Sequence, residues 1–261
     1  QAQTPVLTTA AKIITDLGSE TFYIILFPFI LWSIDFKKGA KLGFVFLLSV
    51  ILNEILKGFF HEPRPFYLVP GLNLIEESGF GLPSGHSQSA MVVWGIVSTW
   101  TEKKGIKFLF YSIIFLIGIS RIYLGVHFPT DVFAGWLTGG IILWVYIKYS
   151  GQVSVWLSGL MFNVQVFIIF LFTIAVSAAF PVKNAVGING LLGGLGIGLA
   201  VLHQYYSFDF FGGAAKRIAR FVAGIVIVFP AYFLLRRMVP GETSSLYFTL
   251  IYFNKFMVGM I

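Results

Sequence analysis

Three short stretches carry most of the chemistry this chain can do. "KGFFHEPRP" puts Lys57 and Arg64 seven residues apart, with Pro65 directly after. Lysine offers a point charge and arginine a bidentate fork, so the pair suits an anion such as a phosphate group. "GLPSGHSQSAMVVW" sets Ser84 and Gly85 ahead of an apolar, helix-forming run. Backbone N–H groups at a helix start can point at an anion, and glycine lets the ligand come close. His86 then sits beside that anion. "SRIYLGVHFPTD" carries Ser120, Arg121, His127 and Asp131. Pro129 is well placed near a helix start, which puts Asp131 in the first turn and His127 just before it. A carboxylate there can accept from the imidazole Nδ1–H. That leaves Nε2 as a nucleophile or a base.

Each stretch also has a bland reading. Lys57 can snorkel while Arg64 meets lipid headgroups. His86 can be a polar helix end at the interface, and Asp131 a helix cap beside an interfacial histidine. The case for a site rests on the three together, because all fall on one predicted membrane face. Between them they supply three cations, two histidines, an orienting carboxylate and a nest of small residues.

The elements that must hold these residues are membrane helices. Of the 261 residues, 57% are hydrophobic and only 11% charged, and the mean hydropathy is +0.86. A soluble domain carries about a quarter charged residues. A helix of ~20 apolar residues crosses a bilayer. Nine stretches qualify at 20–36, 41–60, 86–101, 106–124, 131–149, 163–180, 187–205, 218–235 and 244–261. The third has a polar first turn and the last carries Lys255. Residues 5–17 are expected to form an interfacial helix. The N-terminal stretch lacks the basic start and apolar run of a cleavable signal peptide. The expected fold is therefore an all-α polytopic helical bundle of about nine transmembrane helices.

The net charge of +7 does not point to nucleic acid, because the basic residues sit in short loops between apolar runs. Lys37, Lys38 and Lys41, then Lys103, Lys104 and Lys107, then Lys148, then Lys216, Arg217 and Arg220 fall on one face, which the positive-inside rule makes cytoplasmic. Arg236 and Arg237 run against this pattern. The three motif stretches then face the extracytoplasmic or lumenal side. Cysteine is absent, which excludes disulfides and thiolate metal sites. No carboxylate cluster accompanies the histidines, so no metal ligands are assigned. Gly190, Gly194 and Gly198, spaced every four residues, read as a close helix-packing face.

With these residues in place, the chain resembles the type 2 phosphatidic acid phosphatase superfamily. Its signatures are Lys-x6-Arg-Pro, Pro-Ser-Gly-His and Ser-Arg-x5-His-x3-Asp, all present and in order. The resemblance covers about residues 18–150, the expected catalytic core. Residues 1–17 form an N-terminal segment, and 151–261 supply additional transmembrane helices. The resemblance implies that His127 attacks phosphorus, Asp131 orients it, and His86 protonates the leaving group. Lys57, Arg64, Arg121, Ser84, Gly85 and Ser120 hold the phosphoryl oxygens. It implies no metal and no cofactor. The first span looks like that of the sphingosine-phosphate phosphatase branch, although Gly85 stands where that branch usually has threonine.

The implied reaction is hydrolysis of a lipid phosphate monoester at the bilayer surface. The alternatives are an undecaprenyl diphosphate phosphatase, a lipid phosphotransferase, a sugar-phosphate phosphatase and a lipid-binding or transport protein with an inactive site. The extra helices are expected to shape a lipid entrance or a homodimer contact. Glu54 is expected to pair with Lys57, one turn away. His61 and Glu62 are taken as rim residues, and Glu76 and Glu77 as loop carboxylates that repel headgroups or pair with basic neighbours. His203 and Asp209 are expected near the cytoplasmic face.

Overall fold

The computed structural model describes residues 4–205, 212–241 and 243–260. Asp209 lies outside the described residues. Among the described residues every regular element is helical. The helices are α1 (Pro5–Asp16), α2 (Glu20–Phe29), α3 (Phe36–Phe60), α4 (Pro65–Leu68), α5 (Gly85–Ser98), α6 (Lys104–Tyr123), α7 (Pro129–Ser158), α8 (Phe162–Ala179), α9 (Lys183–Tyr205), α10 (Ala214–Arg236) and α11 (Tyr247–Met260), with a π-helical turn at Ile30–Ile34. The chain divides into two compact units. The first is Gln1–Ile25 with Leu52–Tyr149, and the second is Leu26–Ile51 with Ser150–Ile261.

In the first unit, α1 starts where Thr4 caps the helix through the Leu7 amide at 3.3 Å and Pro5 occupies the first turn. It packs against α6, with Thr8 Oγ1 3.2 Å from the Tyr123 hydroxyl. Ala11 joins a small apolar cluster with Leu124 and Val126, onto which Phe66, Leu74 and Ile75 pack. The short α5 lies inside the unit, with nine of its 14 residues buried. Two glycines of α7 let it approach α5. A Cβ on Gly135 would stand 2.6 Å from the Ser84 carbonyl, and one on Gly139 2.8 Å from the Gln88 carbonyl. Helices come this close in a membrane only through small residues.

In the second unit the glycine row of α9 does what its spacing predicts. A Cβ on Gly190, Gly194 or Gly198 would meet the α11 backbone at Tyr252, Phe256 or Met260. Hydrogen bonds reinforce the contact: Thr173 Oγ1 of α8 lies 2.7 Å from the Tyr252 hydroxyl, and the Asn189 amide donates to Thr173 O and to Ser177 Oγ. Lys255, a charge within an apolar helix, sits 4.6 Å from the centre of the Tyr232 ring. The π-helical turn docks on α10, where Ser33 donates to Arg217 O at 3.0 Å and Arg220 donates to Trp32 O at 2.9 Å.

Among the described residues six helical stretches are long and apolar enough to cross a membrane: Phe36–Leu68, Lys104–Tyr123, Pro129–Ser158, Phe162–Ala179, Asn184–Tyr205 and Ala214–Arg236. A seventh arises if Pro5–Asp16 and Glu20–Ile34, which meet at a 46° bend, count as one broken span. The sequence leads to nine, and the difference has a physical origin. At 14 residues each, α5 and α11 reach roughly 21 Å, short of a ~30 Å hydrocarbon core. The apolarity of α5 serves burial in protein rather than contact with lipid. The chain is an integral membrane protein, all-helical in its described residues.

Candidate active site

The three motif stretches converge within the first unit. Lys57 lies in the last turn of α3. Arg64 caps α4, where Pro65 opens the helix. Ser84 caps α5: its Oγ accepts from the Ser87 amide at 3.5 Å and from the Ser87 hydroxyl at 3.0 Å. Gly85 and the half-buried His86 form the first turn, with N–H groups free of helical partners by position. A Cβ on Gly85 would stand 3.2 Å from Asn53 Oδ1 and 3.8 Å from Lys57 Nζ. The bare glycine thus keeps open the space between the helix start and the ammonium. His86 lies close to Gly18, whose Cβ would stand 3.5 Å from the imidazole Cδ2.

His127 closes the α6–α7 loop and is almost fully buried. Its Nδ1 lies 3.1 Å from Asp131 Oδ2, which also accepts from the Phe128 amide at 3.0 Å. Its Nε2 lies 3.0 Å from Arg64 Nη1. A proton on Nδ1 satisfies both contacts, since the carboxylate only accepts and the guanidinium only donates. Burial, then the charges of Arg64, Arg121 and Lys57, push the His127 imidazole down to about 2, against a smaller opposing pull from Glu77. The ring is therefore neutral at physiological pH, as a nitrogen nucleophile must be.

Arg64 is held on every side. Nε donates to Gly79 O at 3.1 Å, Nη1 to Val126 O at 3.1 Å, and Nη2 to Ser78 O at 3.0 Å. Arg121 donates from Nη1 to Thr15 Oγ1 at 3.1 Å, while its Nε has no partner. Glu77 joins the two guanidiniums: one oxygen pairs with Arg121 Nη2 and the other lies 3.5 Å from Arg64 Nη2. Burial raises the affinity of Glu77 for a proton, but Arg121 and Arg64 outweigh it and hold the carboxyl below its ordinary range.

A second layer fixes the first. Asn53 of α3 donates to Pro83 O at 3.2 Å and to Gln88 Oε1 at 2.9 Å, and Thr138 of α7 donates to the same Gln88 oxygen at 3.0 Å. The Ser84 amide donates to Asp131 O at 3.0 Å, joining the second motif to the third through backbone. Gly81 has no room for a side chain, since its Cβ would stand 2.9 Å from Asp131 Oδ2.

Of the residues expected from sequence, Lys57, Arg64, Ser84, Gly85, His86, Arg121, His127 and Asp131 line this site. The Ser120 hydroxyl donates to Ile117 O of its own helix at 2.6 Å. Glu77 is more than a loop carboxylate, since it pairs with both arginines. Thr15, Gly81 and the Asn53–Gln88–Thr138 network were not singled out. His61 has positive φ and stacks edge-on against Phe80, at the exposed rim where it was expected. Among the described residues no three His, Asp or Glu side chains gather so as to hold a metal ion.

Comparison with known proteins agrees with this arrangement. Residues 38–154 match the sequence model of the PAP2 superfamily, and residues 186–261 match that of the "PAP2 superfamily phosphatase, transmembrane extension". Phosphatidylglycerophosphatase B of Bacillus subtilis is 33% identical over 148 residues, which cover 52% of this chain and 70% of that protein. Sphingosine-1-phosphate phosphatase 1 of Rattus norvegicus is 33% identical over 139 residues, 51% of this chain. The match spans about a third (32%) of that longer protein. Among solved structures, LpxE of Aquifex aeolicus is 34% identical with a TM-score of 0.52, covering 57% of this chain and 89% of that one. Matching family models, shared identity over most of a bacterial relative, and three signatures converging on one site together place this chain in the PAP2 superfamily.

Proposed function

We propose that the protein is a membrane phosphatase that hydrolyses lipid phosphate monoesters through a phosphohistidine at His127, without a metal ion. The observation that carries this reading is the buried Asp131–His127 pair, with Nε2 turned toward the guanidinium of Arg64. In the first step the Nε2 lone pair attacks phosphorus, and the ester P–O bond breaks. His86, protonated when the anionic phosphate is bound beside it, gives its proton to the leaving alkoxide. Arg64, Arg121, Lys57 and the N–H groups at the start of α5 take up the charge on the phosphoryl oxygens. In the second step the now neutral His86 removes a proton from water, whose oxygen attacks phosphorus. The P–N bond breaks, inorganic phosphate leaves and His127 is restored.

Residues 18–150 form the catalytic core in this reading, and 151–261 the added membrane helices. Within the first unit α5 and α6 run between the site and the loop bearing Lys103, Lys104 and Lys107. The positive-inside rule therefore supports a site on the extracytoplasmic or lumenal face. There a lipid keeps its tails in the bilayer while its phosphate meets the cations. Two of the relatives named above, the phosphatidylglycerophosphatase and the sphingosine-1-phosphate phosphatase, act on lipid phosphates by their names, which supports this substrate class. An isoprenoid diphosphate would use the same histidines, so a substrate panel is needed. The test is phosphate release in detergent with chelator present, from sphingoid-base phosphate, phosphatidate, phosphatidylglycerophosphate, undecaprenyl diphosphate and glucose 6-phosphate. Full turnover by His127→Ala, or activity that needs added Mg²⁺, would refute the mechanism.

A further inference from the structure

Arg64 makes four hydrogen bonds and one ion pair with the protein, and these five contacts divide into two kinds. Three donate to main-chain carbonyls at Ser78, Gly79 and Val126, which fix the guanidinium plane. The other two are the ion pair of Nη2 with Glu77 at 3.5 Å and the hydrogen bond from Nη1 to Nε2 of His127 at 3.0 Å. These last two contacts engage groups that the proposed chemistry needs free. Nε2 must be unencumbered to attack, and guanidinium N–H groups must reach phosphoryl oxygens. Arg121 repeats the pattern, with one N–H held by Thr15 and another by Glu77.

The Glu77 carboxylate thus presents two oxygens to two arginines, as two oxygens of a phosphoryl group would. Its side chain is 22% exposed whereas those of Arg64 and Arg121 are 3% and 1% exposed. It is therefore the member of the trio with a way out toward solvent. It stands on the loop between α4 and α5, with no helix to hold it in place.

We propose that Glu77 is a displaceable internal anion: it holds the phosphate position between Arg64 and Arg121 and leaves when the substrate phosphoryl group enters. This rests on the phosphatase reading above and deepens it. Two consequences follow from the bonds. While Glu77 is in place, two buried guanidiniums have a counter-charge and do not repel each other. When a phosphate displaces it, phosphoryl oxygens take the places that Glu77 and Nε2 hold on the fixed guanidinium, so the nucleophile becomes free as its target arrives. The exchange also selects. A dianionic monoester competes with a single carboxylate more effectively than a monoanionic diester does, so Glu77 acts as a specificity residue for monoesters.

The sign of one effect separates displacement from simple support. Full-length protein in detergent micelles is titrated with orthovanadate, following thermal stability and inhibition of lipid phosphate hydrolysis. Glu77→Gln keeps the shape but removes the competing charge. It should melt lower than wild type without vanadate, yet bind vanadate at least about fivefold tighter, the lower end of usual coupling between ligands. Its KM should fall, and its preference for monoesters over diesters should narrow. Glu77→Asp, too short to bridge both arginines, should also bind vanadate more tightly than wild type, which keeps the test open if the glutamine variant does not fold. Glu76→Gln, altering the exposed neighbouring carboxylate, should match wild type. Vanadate binding that is unchanged or weaker in Glu77→Gln or Glu77→Asp overturns the proposal, as does equal tightening in Glu76→Gln. If wild type neither binds vanadate nor releases phosphate, the phosphatase reading itself fails.

Discussion

The His127 imidazole is held between a carboxylate on Nδ1 and a guanidinium on Nε2. Asp131→Asn keeps the size but allows the amide to favour the wrong tautomer, and kcat should fall by about 10⁴, the loss known for a misoriented triad histidine. His86→Asn should cost about 10²–10⁴ in kcat with an alkyl phosphate, the usual contribution of a general acid or base. In kcat/KM, which reports the first step alone, the loss should shrink on an aryl phosphate whose leaving group needs no proton, and an equal loss of kcat/KM on both would contradict the acid role. The same burial leaves a mark on stability. The folded value of His127 lies near 2, against about 6.5 for a free histidine. As pH falls below about 6.5, the unfolded chain binds a proton that the folded chain refuses, so stability declines. Replacing His127 with Asn should flatten that acid limb in detergent melts, while the region above pH 7 should keep its slope.

The cradle is set by how closely α5 and α7 approach. Gly139→Leu would drive a side chain into the Gln88 carbonyl and Met91. Overpacking of this kind costs about 1–3 kcal/mol, so the variant should melt several degrees lower and lose activity with little change in KM. Gly140, with nothing near its Cβ, should tolerate the same change. The elements also explain what was legible in sequence. The Lys57, Arg64, His86, Arg121, His127 and Asp131 positions could be read because each motif is a short run in which spacing along a helix end determines geometry. For Glu77 pairing with basic neighbours is only one of two readings, and Thr15 and Asn53 carry none. Their roles depend on partners 44, 106 and 35 positions away, and no local pattern marks them. Ser120 sits beside Arg121 in the motif, yet helix geometry turns its hydroxyl back onto Ile117. The helix α5 shows why counting apolar runs overestimates spans: an interior helix of an embedded protein is as apolar as a lipid-facing one.

At the scale of the whole chain, the proposed phosphate site is expected at the membrane surface opposite the loop bearing Lys103, Lys104 and Lys107. The absence of cysteine makes this directly testable with single introduced cysteines in sealed vesicles. An impermeant thiol reagent added from the extracytoplasmic side should label Glu76→Cys and spare Lys104→Cys. The opposite pattern would invert the orientation. The family models match residues 38–154 and 186–261, and the second of these stretches contains the glycine face that packs α9 against α11. The central claim is chemical, and the most direct measurement is to trap the intermediate. His86→Asn, lacking the base for the second step, is mixed with a radiolabelled aryl phosphate, quenched and mapped by peptide. The account predicts an alkali-stable, acid-labile label on His127 that disappears in the His127→Ala, His86→Asn double variant. Label on another residue, or wild-type turnover surviving His127→Ala, would contradict it.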